Sequence, residues 1–181
     1  MLDNLQIIFW SITYILIIIA GWRSRSKKMN SMPYAAGILN FGWELCALQE
    51  SQGFWGHILW LGLDAVIFTI GFFFLQSRKQ KGLYIIFTYF VTAGLWFLFV
   101  RYNGMLFSVF AIDLIMAVLF LVDRKRLSHE LKIPIAVCKL TGDTFAGIFY
   151  APESRVVAVM AIMVFVCNVI YLVLCCREHN D

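Results

Sequence analysis

The feature that most constrains the fold is a series of seven apolar stretches, each long enough to cross a lipid bilayer as a helix. A membrane-spanning helix needs about 20 apolar residues, because the hydrocarbon core is about 30 Å thick and a helix rises about 1.5 Å per residue. The sequence therefore predicts an all-α membrane protein with seven transmembrane helices, forming one domain over residues 1–181. The predicted spans are 2–22, 33–49, 55–75, 82–100, 104–122, 132–150 and 154–176.

Composition excludes the main alternatives to a helical membrane protein. Hydrophobic residues make up 61% of the chain and charged residues only 14%, against about 25% charged residues in a soluble domain. With three prolines and long apolar runs, helices rather than a barrel would satisfy the backbone inside lipid. The seven spans and their short loops leave no room for a separate domain outside the membrane.

Basic residues are distributed unequally between alternate loops. One side receives only Arg101 and Arg155. The other side receives Arg23, Arg25, Lys27, Lys28, Arg78, Lys79, Lys81, Arg124, Lys125, Arg126, Lys132 and Arg177. Because short loops rich in Lys and Arg remain cytoplasmic, this distribution predicts an N-terminus outside and a C-terminus in the cytoplasm.

The third, fifth and seventh spans each carry one polar residue in similar apolar surroundings. These residues are Asp64, Asp113 and Asn168, separated by 49 and 55 positions. Such spacing is compatible with a pseudo-repeat of three hairpins after the first helix.

Five ionisable side chains fall inside the predicted spans, where each costs roughly 2.5 to 3.5 kcal/mol at the centre of a helix. They are Glu44, Asp64, Asp113, Lys139 and Asp143. We expect each to face the interior of the bundle and to have a partner, which makes them functional candidates. The alternative is a purely structural pairing, such as Lys139 with Asp143 at i,i+4.

The predicted orientation places the four acids at or above the middle of the membrane, toward the outer side, with Asn168 slightly deeper. We therefore expect a shared polar chamber. Loss of hydration disfavours charged carboxylates, so neutral acids become available there as proton donors. Aromatic faces around them would stabilise developing positive charge, although Trp and Tyr also form interfacial belts. His57, near the outer end of its span, is a candidate proton relay, but the preferred interpretation is a plain interfacial role.

Four short motifs resemble those of the small seven-helix integral membrane terpene cyclases of fungal meroterpenoid and indole-diterpene pathways, which have bacterial relatives. The first two are Asn40–Glu44 (Asn-Phe-Gly-Trp-Glu) and Trp60–Asp64 (Trp-Leu-Gly-Leu-Asp). The others are Lys139–Gly142 (Lys-Leu-Thr-Gly) and Asn168–Leu172 (Asn-Val-Ile-Tyr-Leu). The chain would be a short, bacterial-type member.

The resemblance implies a cyclisation of a polyprenyl or related lipidic substrate that begins when an acid protonates the substrate. Glu44 matches the family's catalytic glutamate, so Glu44 is the expected proton donor, with Asp64 orienting it or sharing its proton. The family's second acid, in the last helix, is replaced here by Asn168, which departs from the pattern. The expected substrate-binding residues are Asn40, Phe41, Trp43, Trp60, Trp96, Asp113, Asp143, Asn168 and Tyr171.

Two other functional classes remain open from the sequence. Midplane acids on repeated hairpins are also typical of a small transporter, and buried acids in a non-catalytic lipid-binding or assembly protein would only specify packing. We expect no cofactor and no metal, because neither a phosphate-binding glycine loop nor a cluster of metal-ligating Cys and His is present. The expected partners are membrane lipids and a prenyl-type molecule, not nucleic acid, with the oligomeric state open. The membrane would be the plasma membrane in a bacterium or the endoplasmic reticulum in a fungus.

Overall fold

The computed structural model describes residues 2–24, 30–49, 54–101 and 104–180. Over these residues the chain is helical, which confirms the predicted all-α class. The helices are α1 (Leu2–Arg23), α2 (Tyr34–Ala47), α3 (Phe54–Phe74), α4 (Arg78–Leu95), α5 (Met105–Asp123), α6 (Lys132–Tyr150) and α7 (Arg155–Asn180). Three residues of the predicted basic cluster, Arg25, Lys27 and Lys28, lie outside the described residues.

Five of these helices are long and apolar enough to cross a membrane, namely α1, α3, α4, α5 and α7. Of the other two, α2 has 14 residues and is about 21 Å long at 1.5 Å per residue. The second, α6, has 19 residues and carries Lys132, Lys139 and Asp143. Large apolar side chains cover the outer surface, Phe90 of α4 being 75% exposed. Such a surface is characteristic of a protein that faces lipid.

The helices form a ring with one helix outside it. Around the ring, α1 packs on α6, α6 on α7, α7 on α5, α5 on α2, α2 on α3, and α3 on α1. Helix α4 packs on the outer side of α2. The interior of this ring is where buried polar side chains from several helices can meet.

Contacts between helix ends show that α1, α5 and α7 run in one direction and α6 runs in the opposite one. Arg124 Nε and Lys132 Nζ both donate to the carboxylate of Glu178, at 3.1 and 3.2 Å. The hydroxyls of Ser24 and Ser128 are also hydrogen-bonded. The ends of α1, α5 and α7 therefore lie with the start of α6 at one end of the bundle. We call it the basic end, and the opposite one the far end.

Most helix bounds agree with the predicted spans, and the differences have local causes. Helix α4 begins at Arg78 instead of residue 82, because Ser77 Oγ accepts from Gln80 N at 3.1 Å and Gln80 Oε1 accepts from Ser77 N at 3.2 Å. This capping box satisfies backbone donors before the apolar run begins. Helix α7 continues to Asn180, and its last turns carry Glu178, which is paired with Arg124 and Lys132.

Two glycines allow adjacent helices to approach closely. A methyl group added at Gly142 of α6 would lie 3.0 Å from Cδ1 of Trp10 on α1. One added at Gly42 of α2 would lie 2.8 Å from Oγ1 of Thr92 on α4. Any larger residue at either position would require the facing side chain to move.

Candidate functional site

Buried polar residues gather inside the ring in two neighbouring groups. The first surrounds a small cavity between α1, α2, α3 and α5, which we call the chamber. Its lining residues are Gln6, Trp10, Tyr14, Asn40, Trp43, Glu44, Trp60, Val109, Ile112 and Asp113. The second group, which we call the triad, consists of Lys139, Asp143 and Asn168 on α6 and α7. All three triad residues are buried.

Glu44, the expected proton donor, has a direct histidine partner. His57 Nδ1 lies 3.0 Å from Glu44 Oε2, and the two side chains are 14% and 3% exposed. The imidazole is packed edge-on against Trp43 and Trp60, with ring centroids 5.5 and 5.9 Å away. His57 is therefore a direct partner of the buried acid, a contact that the preferred interfacial interpretation did not include. Helix periodicity contained the missed signal, since His57, Trp60 and Asp64 follow at i, i+3 and i+7 on one face.

Asp64 is held by an amide rather than by Glu44. Asn40 Nδ2 donates to Asp64 Oδ2 and to the hydroxyl of Tyr14, both at 2.7 Å. Asp64 interacts electrostatically with Glu44, but the direct partner of Glu44 in the described structure is His57. The expectation that Asp64 orients Glu44 by contact is therefore corrected. Glu44 on α2 is therefore next to the imidazole of His57, and Asp64 on α3 is next to the amide of Asn40.

Asp113 connects the two polar groups. It is 8% exposed and lines the chamber from α5. It interacts electrostatically with Glu44 in the chamber and with Asp143 and Lys139 in the triad. The polar interior is therefore continuous from α2 to α6.

The triad contains the ion pair that its i,i+4 spacing predicted. Lys139 Nζ donates to Asp143 Oδ2 at 2.6 Å, and Asn168 Nδ2 donates to the same oxygen at 2.6 Å. Lys139 Nζ also lies 5.1 Å from the centre of the Trp10 ring, a cation–π distance. Asn168 thus acts as an amide donor to Asp143.

The chamber is small, and four of its ten lining residues are aromatic. Its volume is about 30 Å³, which is room for one or two water molecules. The indole of Trp43 donates to Ser108 Oγ at 3.0 Å, and that of Trp60 donates to Ser11 Oγ at 3.2 Å. With their N–H groups satisfied, these indoles form fixed walls beside Glu44.

Five expected binding residues do not line the chamber. Asp143 and Asn168 belong to the triad, and the other three lie elsewhere. Phe41 follows Asn40 by one position, so it is turned about 100° around α2 and stacks on Phe68 at 4.9 Å. Trp96 begins a π-helical turn after α4, is 41% exposed and donates to Gln49 Oε1 at 2.9 Å. Tyr171, about one turn nearer the basic end than Asn168, packs edge-on against Phe120 at 5.6 Å. Their placement in the chamber is corrected.

Helix α1 contributes side chains to the chamber, which was not predicted from the sequence. Gln6, Trp10 and Tyr14 line the chamber, and their spacing of four residues places them on one face of the helix. Ser108 of α5, the acceptor for Trp43, was also missed. A polar and aromatic stripe on an otherwise apolar first helix was the available signal.

Comparison with protein-family models, curated proteins and solved structures finds no match for this chain. Within the described residues, no group of three or more His, Cys, Asp or Glu side chains is arranged to hold a metal ion. Function is therefore argued from the geometry of the chamber.

Proposed function

We propose that the chain crosses the membrane seven times, with its N-terminus outside and its C-terminus in the cytoplasm. The unequal loop charges support this topology, as does the pairing of Lys139 with Asp143 inside the bundle, which keeps the charges of α6 away from lipid. The basic end is then cytoplasmic, and Glu44 and His57 lie toward the outside. The membrane is the plasma membrane in a bacterial source or the endoplasmic reticulum in a fungal one.

Reporter insertions test this topology. A reporter after Gln76, between α3 and α4, should be active in the cytoplasm, and one after Glu153, between α6 and α7, should be active outside. The reverse result, or both insertions on one side, would contradict it.

We propose that this protein is a terpene-cyclase-like membrane enzyme, which starts the cyclisation of a polyprenyl or related lipidic substrate by protonation. The observation that carries the proposal is the position of Glu44, a buried acid held by His57 beside a chamber walled by Trp10, Trp43 and Trp60. The resemblance of residues 40–44 and 60–64 to the cyclase motifs supports the same reading.

In this mechanism the Glu44 carboxyl gives its proton to an epoxide oxygen or a terminal alkene carbon of the substrate. The resulting cation passes along the folded chain, and the indole faces stabilise it. The reaction ends when the last cation loses a proton to a base. Asp113, which also lines the chamber, is our candidate for that base.

Substrate binding requires the chamber to open. A volume of about 30 Å³ is far below that of a prenyl chain, so α1 or α5 must move away from α2 when the substrate binds. Access would come from the lipid, because large apolar side chains face the surrounding bilayer.

The test is turnover by Glu44→Gln in mild detergent with a set of prenylated and epoxidised prenylated substrates, followed by mass spectrometry of cyclised products. Gln keeps the size and hydrogen-bonding capacity of the side chain but has no acidic proton, so turnover should fall by about 10² to 10⁴ or more. Glu153→Gln, an exposed glutamate between α6 and α7, is the matched control and should keep full turnover. Turnover by Glu44→Gln at the wild-type rate would contradict the mechanism.

A second candidate is a non-catalytic lipid-binding or assembly protein. The small chamber favours it, together with the direct partners of three acids: His57 for Glu44, Asn40 for Asp64, and Lys139 for Asp143. In that case Glu44→Gln would change the yield of folded protein or its bound lipids, and no cyclised product would appear with wild type.

A further inference from the structure

We propose that His57 returns a proton to Glu44 from the aqueous phase beyond the far end of the bundle. The inference rests on the proposed function, because it assigns the source of the proton that Glu44 donates. His57 contacts Glu44 but is not among the residues that line the chamber, so we treat it as a positioning residue that acts through Glu44.

The first argument is the gradient of exposure along the pair. His57 lies in the first turn of α3, near the far end, and its side chain is 14% exposed. Glu44 is 3% exposed and lines the chamber. The distance from His57 Nδ1 to Glu44 Oε2 is 3.0 Å. The imidazole therefore lies between the far end of the bundle and the buried acid.

The second argument is that the ring is held in position. Trp43 and Trp60 pack against the imidazole through edge contacts. Both indoles are fixed in turn, by Ser108 and Ser11. These contacts direct Nδ1 at the carboxylate when the proton is transferred.

The third argument is chemical. The described titratable groups around the chamber are Tyr14 of α1, Glu44 of α2, Asp64 of α3 and Asp113 of α5. Glu44 is in direct contact with His57. Imidazole is the side chain whose proton exchange is naturally matched to neutral pH. A buried carboxyl that must be reprotonated in each cycle therefore has a suitable donor beside it.

The transfer balances as follows. After Glu44 has protonated the substrate, the imidazolium of His57 gives its Nδ1 proton to Glu44 Oε2, so an O–H bond forms and an N–H bond breaks. The ring that remains is neutral and carries its proton on Nε2. It turns about the Cβ–Cγ bond, so that the bare Nδ1 takes a proton from water at the far end, and then turns back to Glu44. The proton that the final cation loses returns to solvent, so the cycle consumes no acid.

The experiment follows Glu44 by time-resolved infrared spectroscopy after a pH jump on full-length protein in lipid nanodiscs, without substrate. The carboxyl and carboxylate bands of Glu44 are assigned by their loss in Glu44→Gln. His57→Gln keeps a hydrogen-bond donor beside Glu44. The glutamine amide, unlike an imidazole, cannot take up a proton and pass it on. His129→Gln, an exposed histidine at the basic end, is the matched control.

We expect the Glu44 bands to respond about 10²-fold more slowly in His57→Gln than in wild type, with His129→Gln unchanged. An equal thermal stability of the three proteins would separate this effect from misfolding. Equal response rates in His57→Gln and wild type, or no response of Glu44 in wild type, would overturn the inference. This experiment contains no substrate, so it tests only the proton transfer from His57. The proposed function is tested separately, by the turnover of Glu44→Gln.

Discussion

The chamber and the triad both contain buried acids, but the acids have different hydrogen-bond partners in the two groups. In the triad, Asp143 accepts from the Lys139 ammonium and from the Asn168 amide, both at 2.6 Å. At the chamber, Glu44 lines a cavity of about 30 Å³ and contacts the imidazole of His57. Asp64, next to it, accepts from the amide of Asn40, which also lines the cavity. One group is a closed ion pair, and the other is a set of acids beside open space.

This difference indicates which acids can take part in chemistry. A carboxylate that is fixed to a lysine in a dry interior would lose a strong interaction if it gave up its charge. An acid beside an imidazole and a cavity can change its protonation state and reach a bound molecule. Membrane burial alone therefore does not identify a catalytic acid, because the partner decides its role.

The sharpest test of the comparison is Asp143→Asn. This isosteric change keeps an oxygen acceptor but leaves the buried Lys139 without its carboxylate, and breaking such a pair costs about 3 to 5 kcal/mol. We expect the free energy of unfolding, measured by helical circular dichroism during SDS titration in mixed micelles, to fall by about that amount. The double variant Lys139→Met with Asp143→Asn should recover part of the loss. A change below about 1 kcal/mol for Asp143→Asn would show that the triad is not a structural ion pair.

A smaller effect is expected at the contact between α1 and α6, which joins the two regions. Gly142→Ala places a methyl group 3.0 Å from Cδ1 of Trp10, so the indole that lines the chamber must shift. Such overpacking costs about 1 to 3 kcal/mol in the same unfolding assay. Gly62→Ala on α3, where the added methyl group meets nothing within 4 Å, is the control and should cause no loss. Equal losses in both variants would contradict the prediction, because Gly→Ala within a helix raises helix propensity and would not by itself cause a loss.

The smallest effect is expected for Asp64→Asn in the chamber. The substitution retains an oxygen acceptor for the Asn40 amide and removes no partner of a buried cation, so the free energy of unfolding should change by less than about 1 kcal/mol. The two Asp→Asn variants make the same chemical change, so the difference between their losses in the free energy of unfolding reports the difference between the two environments. A loss at Asp64 as large as that at Asp143 would indicate that both acids are structural.

Helix positions could be predicted well from the sequence, and partners less well. The predicted span 104–122 nearly coincides with α5 (Met105–Asp123), because an apolar run in lipid has no other way to satisfy its backbone. The Lys139–Asp143 pair was also predictable, because i,i+4 residues face each other on one helix. The partner of Glu44 was not, because it lies on another helix and depends on how α2 and α3 are rotated.

The sequence by itself determined the all-α class, the near-complete set of helix bounds and the local ion pair of α6, because each depends on hydrophobicity or on spacing within one helix. Only the tertiary structure decided that His57 contacts Glu44, that Asn40 holds Asp64, and that Trp96 and Tyr171 lie away from the chamber. The physical reason is rotation about the helix axis, since a turn of about 100° per residue sends neighbouring side chains to different helices. Packing across the ring, which no local pattern encodes, fixes those rotations.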